Sequence, residues 1–252
     1  MSEKHNVNEI KSKARSGDSN AQYLLSQLLK TGKGLEKNLE SYKKWLEDAA
    51  KNGNDKAMKE LGDCYAKGYA VATEEMAAIS WYRKAIEAGN VEANFKMAKI
   101  LLTGLKDTGE EELPEDLKEA ESLLRTAANE GVVDAQYELG LLFQIKAKGL
   151  TKDFIESERW LLKASKNDHL NAQNALGYLY AFGSEDGKVK ENQEEAMKWW
   201  SSAAEKNHAE AQYNLGVAYA KKAIDNWTKS SKLGDQKSRY MLNQIAGYEW
   251  GN

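Results

Sequence analysis

The sequence predicts an all-α solenoid, and three observations carry that reading. An alanine followed four residues later by leucine or methionine, and five residues later by a very small residue, recurs at Ala21, Ala57, Ala93, Ala135, Ala172 and Ala211. The successive spacings are 36, 36, 42, 37 and 39 residues, the signature of a stacked repeat array. The 252 residues also hold a single proline, Pro114, with 41% hydrophobic and 30% charged residues, a composition that favours helix.

Each unit reads as two helices. In the second unit Ala57, Leu61, Cys64 and Tyr65 fall at i, i+4, i+7 and i+8, one face of a helix. Gly62 lies off that face. A helix-interior glycine costs about 1 kcal/mol relative to alanine, so its recurrence as Gly62, Gly140, Gly177 and Gly216 predicts close helix packing. A loop follows, then a second helix carrying Trp81, Tyr82, Ala85 and Ile86. Asn38, Thr73, Asp116, Asp153 and Asn192 stand where the second helices need N-caps, and Glu119, Glu156 and Glu195 complete three capping boxes. Gly53, Gly89, Gly131, Asn167 and Asn207 mark the helix ends. Trp45, Trp81, Trp160, Trp199 and Trp227 are assigned to the core between the paired helices.

Repeats therefore start near residues 19, 55, 91, 133, 170 and 209 of one continuous domain, 1–252. Val7–Arg15 resembles a lone second helix, and Asp235–Gly247 a lone first helix with Tyr240, Leu242 and Ile245 facing inward. These capping helices, about 6–16 and 235–247, cover the ends of the array.

Two places break the pattern. The inter-helix loop of the third unit, Thr103 to Asp116, is long and acidic, a solvated loop or a docking loop. The sixth unit is short, with only 27 residues between Ala211 and the equivalent Ser238 and no loop glycines. Either a tight turn joins its two helices, or they fuse into one helix over about 209–232.

Bulk charge and motifs exclude several chemistries. A net charge of -3, from 36 basic and 39 acidic residues, supplies no basic footprint for nucleic acid. No stretch approaches a membrane span, and the N-terminal residues lack the apolar core of a signal peptide. One cysteine, Cys64, rules out an internal disulfide framework and reads as a packed small hydrophobe. The cytoplasm is the expected compartment, with delivery elsewhere without a cleavable signal left open. His5, His169 and His208 lie far apart, and the latter two share one place, the turn before a first helix. No catalytic residue, metal site or cofactor site is predicted. Gly183–Val189 lacks the spacing and the preceding strand of a phosphate loop.

The unit Ala-x-x-x-Leu-Gly-x-x-Tyr, a glycine-containing loop, an Asn/Asp cap, then an aromatic pair and Ala-Ala resembles the Sel-one-like repeat, a relative of the tetratricopeptide repeat. Ala211-Gln212-Tyr213-Asn214-Leu215-Gly216 and Ala135-Gln136-Tyr137-Glu138-Leu139-Gly140 match it most clearly. So do Trp81-Tyr82-Arg83-Lys84-Ala85 and Trp199-Trp200-Ser201-Ser202-Ala203-Ala204. The resemblance implies a right-handed α-α superhelix of about six helix-turn-helix repeats, a bacterial source, and a non-enzymatic module that binds a protein partner as adaptor, regulator or immunity-type protein. A cysteine-rich, secreted branch linked to β-lactam hydrolysis shares neither its disulfides nor its leader with this chain.

Counting from the anchor alanine, positions 0, 4, 7 and 8 face the core and positions 2, 3 and 6 point away, toward the expected concave groove. Phe95, Tyr137, Glu138, Leu141, Tyr178 and Tyr213 are the partner-binding candidates on that surface, because aromatic anchors dominate interface energetics. Tyrosine at position 2 is also usual in such repeats, where it packs between units. A structural homodimer through residues 209–232 is the competing role.

Overall fold

In a computed structural model the protein is described over residues 2–107, 114–145 and 152–248, with side chains over 7–102, 117–145 and 152–246. All thirteen elements among the described residues are α-helices, and they fall into two compact units, Met1–Lys152 and Asp153–Asn252. The first unit contains α1 (Ser2–Arg15), α2 (Ser19–Thr31), α3 (Leu39–Lys51), α4 (Asp55–Lys67), α5 (Glu75–Glu87), α6 (Val91–Asp107), α7 (Pro114–Asn129) and α8 (Val133–Leu142). The second contains α9 (Phe154–Lys166), α10 (Leu170–Phe182), α11 (Gln193–Glu205), α12 (Ala209–Lys232) and α13 (Gln236–Tyr248).

Within each unit every helix packs chiefly on its neighbour in sequence. The anchor alanines are the contact points, since Ala57, Ala93, Ala135, Ala172 and Ala211 are fully buried and Ala21 nearly so. Two of the recurring glycines act as seats for aromatic rings. A Cβ on Gly62 would stand 2.5 Å from the Tyr82 ring, and one on Gly177 would strike the Trp200 indole. The packed aromatic is thus the second of each pair. Trp81 and Trp199 are only half-buried, with Lys84 and Lys198 over their rings.

Turn chemistry repeats as faithfully as packing. Second helices end on a residue with left-handed backbone, Gly53, Gly89, Gly131, Asn207 and Gly234 among them. In the fifth junction this residue is Asp168 (φ 62), whereas the expected Asn167 stays at φ -97. The next residue but one opens a first helix, and the intervening side chain caps it. Asp18, Asn54, Asn90 and Asp235 each accept a hydrogen bond from the amide three residues on. Such caps contribute about 1 kcal/mol each. His169 and His208 do the same through Nδ1, from Ala172 and Ala211, which places the ring proton on Nε2. Val132 occupies this place before α8 and has no side chain to offer.

Among second helices, Asn38, Asp153 and Asn192 are N-caps as expected. The capping boxes are one-armed, because Glu156 turns to Arg159 and Trp160, and Glu195 to Lys198. Thr73 is not the cap of α5. Glu74 is, since its backbone N–H bonds Tyr65 O as Asn38 bonds Leu29 O, and Glu74 makes no side-chain cap bond. Asp116 lies inside the first turn of α7, which opens at Pro114.

The irregular places resolve differently. Helix α6 runs on to Asp107, so the predicted acidic loop is shorter at its start, and residues 108–113 lie outside the described residues. The sixth repeat is a single 24-residue helix, α12, with Lys221–Ile224 in mid-helix. Without loop glycines nothing interrupts the ladder, and the helix extends about 36 Å. Helix α13 turns Leu242 and Ile245 partly inward behind Ser238, while Tyr240 is exposed.

Candidate protein-binding surface

On the first helices, the side chains at positions 3 and 6 stitch neighbouring repeats together. Gln27 donates to Glu60, Lys99 pairs with Glu138 at 2.6 Å, and Tyr178 donates to Asn214 at 3.0 Å. Each bond runs from position 6 of one repeat to position 3 of the next. Residues expected to face a partner are therefore partly consumed by the scaffold.

In the first unit this consumption is heaviest at Glu60, which is buried and accepts from Gln27, Lys30 and Tyr42. Burial alone would raise its pKa, but the hydrogen bonds from Lys30, Gln27 and Tyr42 outweigh it and hold the carboxyl below its usual value. Burial first, with the Cys64 and Glu60 contacts, keeps the Tyr42 phenol protonated far above its ordinary range. Burial likewise pushes the Cys64 thiol up, 3.2 Å from the Tyr42 oxygen. Lys30, Lys59, Glu60, Asp63, Cys64, Lys67 and Tyr69 line a cleft of ≈ 470 Å³ here. Lys30 pairs with Glu60, and Lys59 with Asp63 and Glu92, so two of the cleft's three lysines are held in ion pairs.

Four sequence-predicted site residues lie in this first unit. Phe95 is buried, 9% exposed, with Lys96 over its ring, so it serves packing. Tyr137, Leu141 and Glu138 are half-buried, and Glu138 is held by Lys99.

The second unit is different. On α10 and α12, Tyr178 is 39% exposed and Tyr213 71%. Phe182 (75%) and Val217 (51%) add to them. Tyr178 stacks on Phe182 with centroids 6.2 Å apart and meets Trp200 in a T-shaped contact at 5.7 Å. Its hydroxyl is fixed by Asn214, which in turn donates to Asn174. Tyr213 and Val217 flank Asn214 along α12, so an apolar surface forms around an immobilised tyrosine. Phe182 escaped the sequence reading because it sits at position 10, past the repeating motif. Its i+4 spacing from Tyr178 was the available signal.

Among the described residues no group of histidine, cysteine and carboxylate side chains is placed to hold a metal ion, and no helix is long and apolar enough to cross a membrane.

Comparison with known proteins agrees with the geometry. The Sel1 repeat model matches residues 19–54, 55–90, 91–132, 133–169, 170–208 and 209–222. The last match stops inside α12, where the loop to a second helix is missing. A Sel1 repeat protein of Oxalobacter formigenes, solved by crystallography, superposes with a TM-score of 0.64 at 27% identity, covering 75% of this chain and 74% of that one. The chain is 29% identical over 137 residues to an exopolysaccharide production negative regulator of Rhizobium meliloti, 51% of each. It is also 29% identical over 142 residues to chitin synthase regulatory factor 3 of Schizosaccharomyces pombe, 56% of this chain and 14% of that protein. The chain spans about half the length of the first of these relatives and 14% of the second. With six consecutive matched repeats and a helix-pair architecture to accompany them, this chain belongs to the Sel1 repeat family.

Proposed function

We propose that the chain is a non-enzymatic regulatory module that binds a protein partner on the exposed aromatic surface of α10 and α12. The observation that carries this is Tyr178 with Phe182, Tyr213 and Val217, a solvent-facing apolar group anchored by Asn214 and Trp200. Rigid aromatic side chains lose little entropy on binding and supply most interface energy. Half-buried Tyr137, Leu141 and Glu138 form a more polar contact surface on the first unit. The printed names of the two curated relatives, both regulators, support the regulatory role. Glu60 and Cys64 are each hydrogen-bonded to the buried Tyr42, and Glu60 is paired with Lys30 beside the cleft, which supports a non-catalytic reading. A lone buried thiol suits the reducing cytoplasm as the place of action.

Affinity capture from the native lysate tests the reading. A Tyr178→Ala, Phe182→Ala double variant is expected to lose a partner that wild type retains, and Tyr137→Ala to lose less. Recovery of the same partners in equal amount on the double variant would sink it.

A further inference from the structure

In the sixth repeat a packing interface has been cut and laid out along one helix. Tyr82 and Trp200 pack onto the first helix of their own repeat, on Gly62 and Gly177, and a buried side chain stands at the same place in each of the first five repeats, seven residues before the left-handed turn residue. These are Leu46, Tyr82, Leu124, Leu161 and Trp200, every one at most 4% exposed. In the sixth repeat the left-handed residue is Gly234, and the side chain seven before it is Trp227. Trp227 is only half-buried. Its seat would be Gly216, as Gly177 is for Trp200, but a Cβ on Gly216 would meet nothing within 4 Å. Gly216 and Trp227 lie eleven residues apart on the same helix, about 16 Å along its axis. Trp227 cannot reach its own seat.

A second copy can supply the missing half. Gly216, Ala220, Ala223, Trp227 and Ser230 are spaced four, three, four and three, which keeps them on one stripe in the pattern of a helix–helix seam. The stripe lies opposite Ala211, Asn214 and Ala218, the residues buried against the rest of the unit. It holds no charge. Lys221, Lys222 and Asp225 point elsewhere, lining a cleft with Gln193, Glu194 and Met197 of α11. Tyr213 and Tyr219, 71% and 56% exposed, flank the stripe.

We propose that two copies of the chain pair antiparallel through α12, each placing Trp227 on Gly216 of the other. An antiparallel pair that seats Trp227 on Gly216 also sets Ala220 against Ala223 and Tyr213 against Ser230. The arrangement is its own image about a two-fold axis between Lys221 and Lys222, as an isologous dimer requires. Each copy's α12 then gains the second helix its repeat lacks, and the partner's α13 follows as the next first helix. Six aromatic rings, three from each copy, enter the seam. Tyr213 and Tyr219 are exposed in the single chain and Trp227 is half-buried, so pairing covers large aromatic surface of the kind that anchors interface cores. This pairing stands on the Gly216–Trp227 register and not on the partner surface proposed for Tyr178; it draws Tyr213 into the seam and leaves Tyr178 and Phe182 on α10 for a partner.

The test uses the purified full chain. Light scattering at on the order of 100 μM, far above the Kd of a specific pair, is expected to give twice the chain mass. Ala220→Lys adds charge to a residue that is exposed in the single chain, so it leaves folding intact and should halve the mass without loss of helical circular dichroism. Trp227→Ala should do the same. Wild type at single-chain mass, or a dimer unchanged by Ala220→Lys, overturns the proposal. An equimolar mixture of Ala220→Cys and Ala223→Cys chains should cross-link more than either alone under mild oxidation. Strongest cross-linking by Ala220→Cys alone would mean a parallel pair and would also overturn it.

Discussion

Burying Glu60 among Gln27, Lys30 and Tyr42 ties the stability of the first unit to pH. Its carboxyl is held below the ordinary 4.5, so the fold binds the ionised form more favourably than the unfolded chain does. The stabilisation is complete above the unfolded value and is lost as pH falls through the lower, folded one. Wild type should therefore weaken progressively below about pH 4.5, whereas Glu60→Gln should show a flatter acid limb. At neutral pH that variant should lose about 1–3 kcal/mol, because Lys30 and the Tyr42 hydroxyl lose their charged acceptor. Urea titrations of both proteins between pH 3 and 7 measure it, and parallel pH profiles would remove Glu60 as the cause. Asp168 offers the opposite case. It is a non-glycine residue at φ 62, at the place where Gly53, Gly89, Gly131 and Gly234 stand elsewhere. Asp168→Gly relieves that backbone and gives up only an exposed pair with Lys206. A gain of about 0.5–1 kcal/mol is expected in thermal unfolding, and any net loss contradicts the strain argument.

At the scale of helices, one glycine position has two fates. Gly62 lies under Tyr82 and Gly177 under Trp200, so Gly62→Ala and Gly177→Ala force a ring off its seat and should each cost about 1–3 kcal/mol. Gly216 has nothing above it within the chain. Measured on the Ala220→Lys background, Gly216→Ala should stabilise by up to about 1 kcal/mol through helix propensity alone. Equal penalties at all three positions would refute the seat argument. The contrast also shows what could be read before the fold was known. The anchor alanine recurs in all six repeats and the glycine five residues on in four of them, and repetition filters out noise. Glu74 was unreadable as a cap because its role comes from a backbone bond to Tyr65, which no side chain announces. Phe95 and Tyr213 share position 2 yet are 9% and 71% exposed. Position counting does not contain what covers the side chain at that position. The one-residue shift from Trp199 to Trp200 has a similar origin, since either indole fits a helical face and only the seat chooses.

Within each unit, helices pack on their sequence neighbours, with α4 and α6 in contact one repeat apart. Stability in such an array is close to a sum of local terms, so damage should stay near its origin. Two substitutions with comparable cost but distant positions make this measurable. Gly62→Leu drives a side chain into the Tyr82 ring and should strip amide-exchange protection from α4, α5 and the helices touching them. Trp200→Ala removes a ring that is 4% exposed and whose Nε1–H donates to Asn174 O, at a cost of about 3–5 kcal/mol. Its footprint should cover α10, α11 and the first half of α12 while α2–α5 keep their protection. Hydrogen exchange read by mass spectrometry on both variants separates the outcomes. If each variant lowered protection evenly from α2 to α12, the chain would unfold as one cooperative body, and the nearest-neighbour account would be wrong. If the footprints are separate, the second unit can loosen, bind or pair through α12 without disturbing the Glu60 network in the first. That independence allows a repeat protein to change one surface while keeping its scaffold.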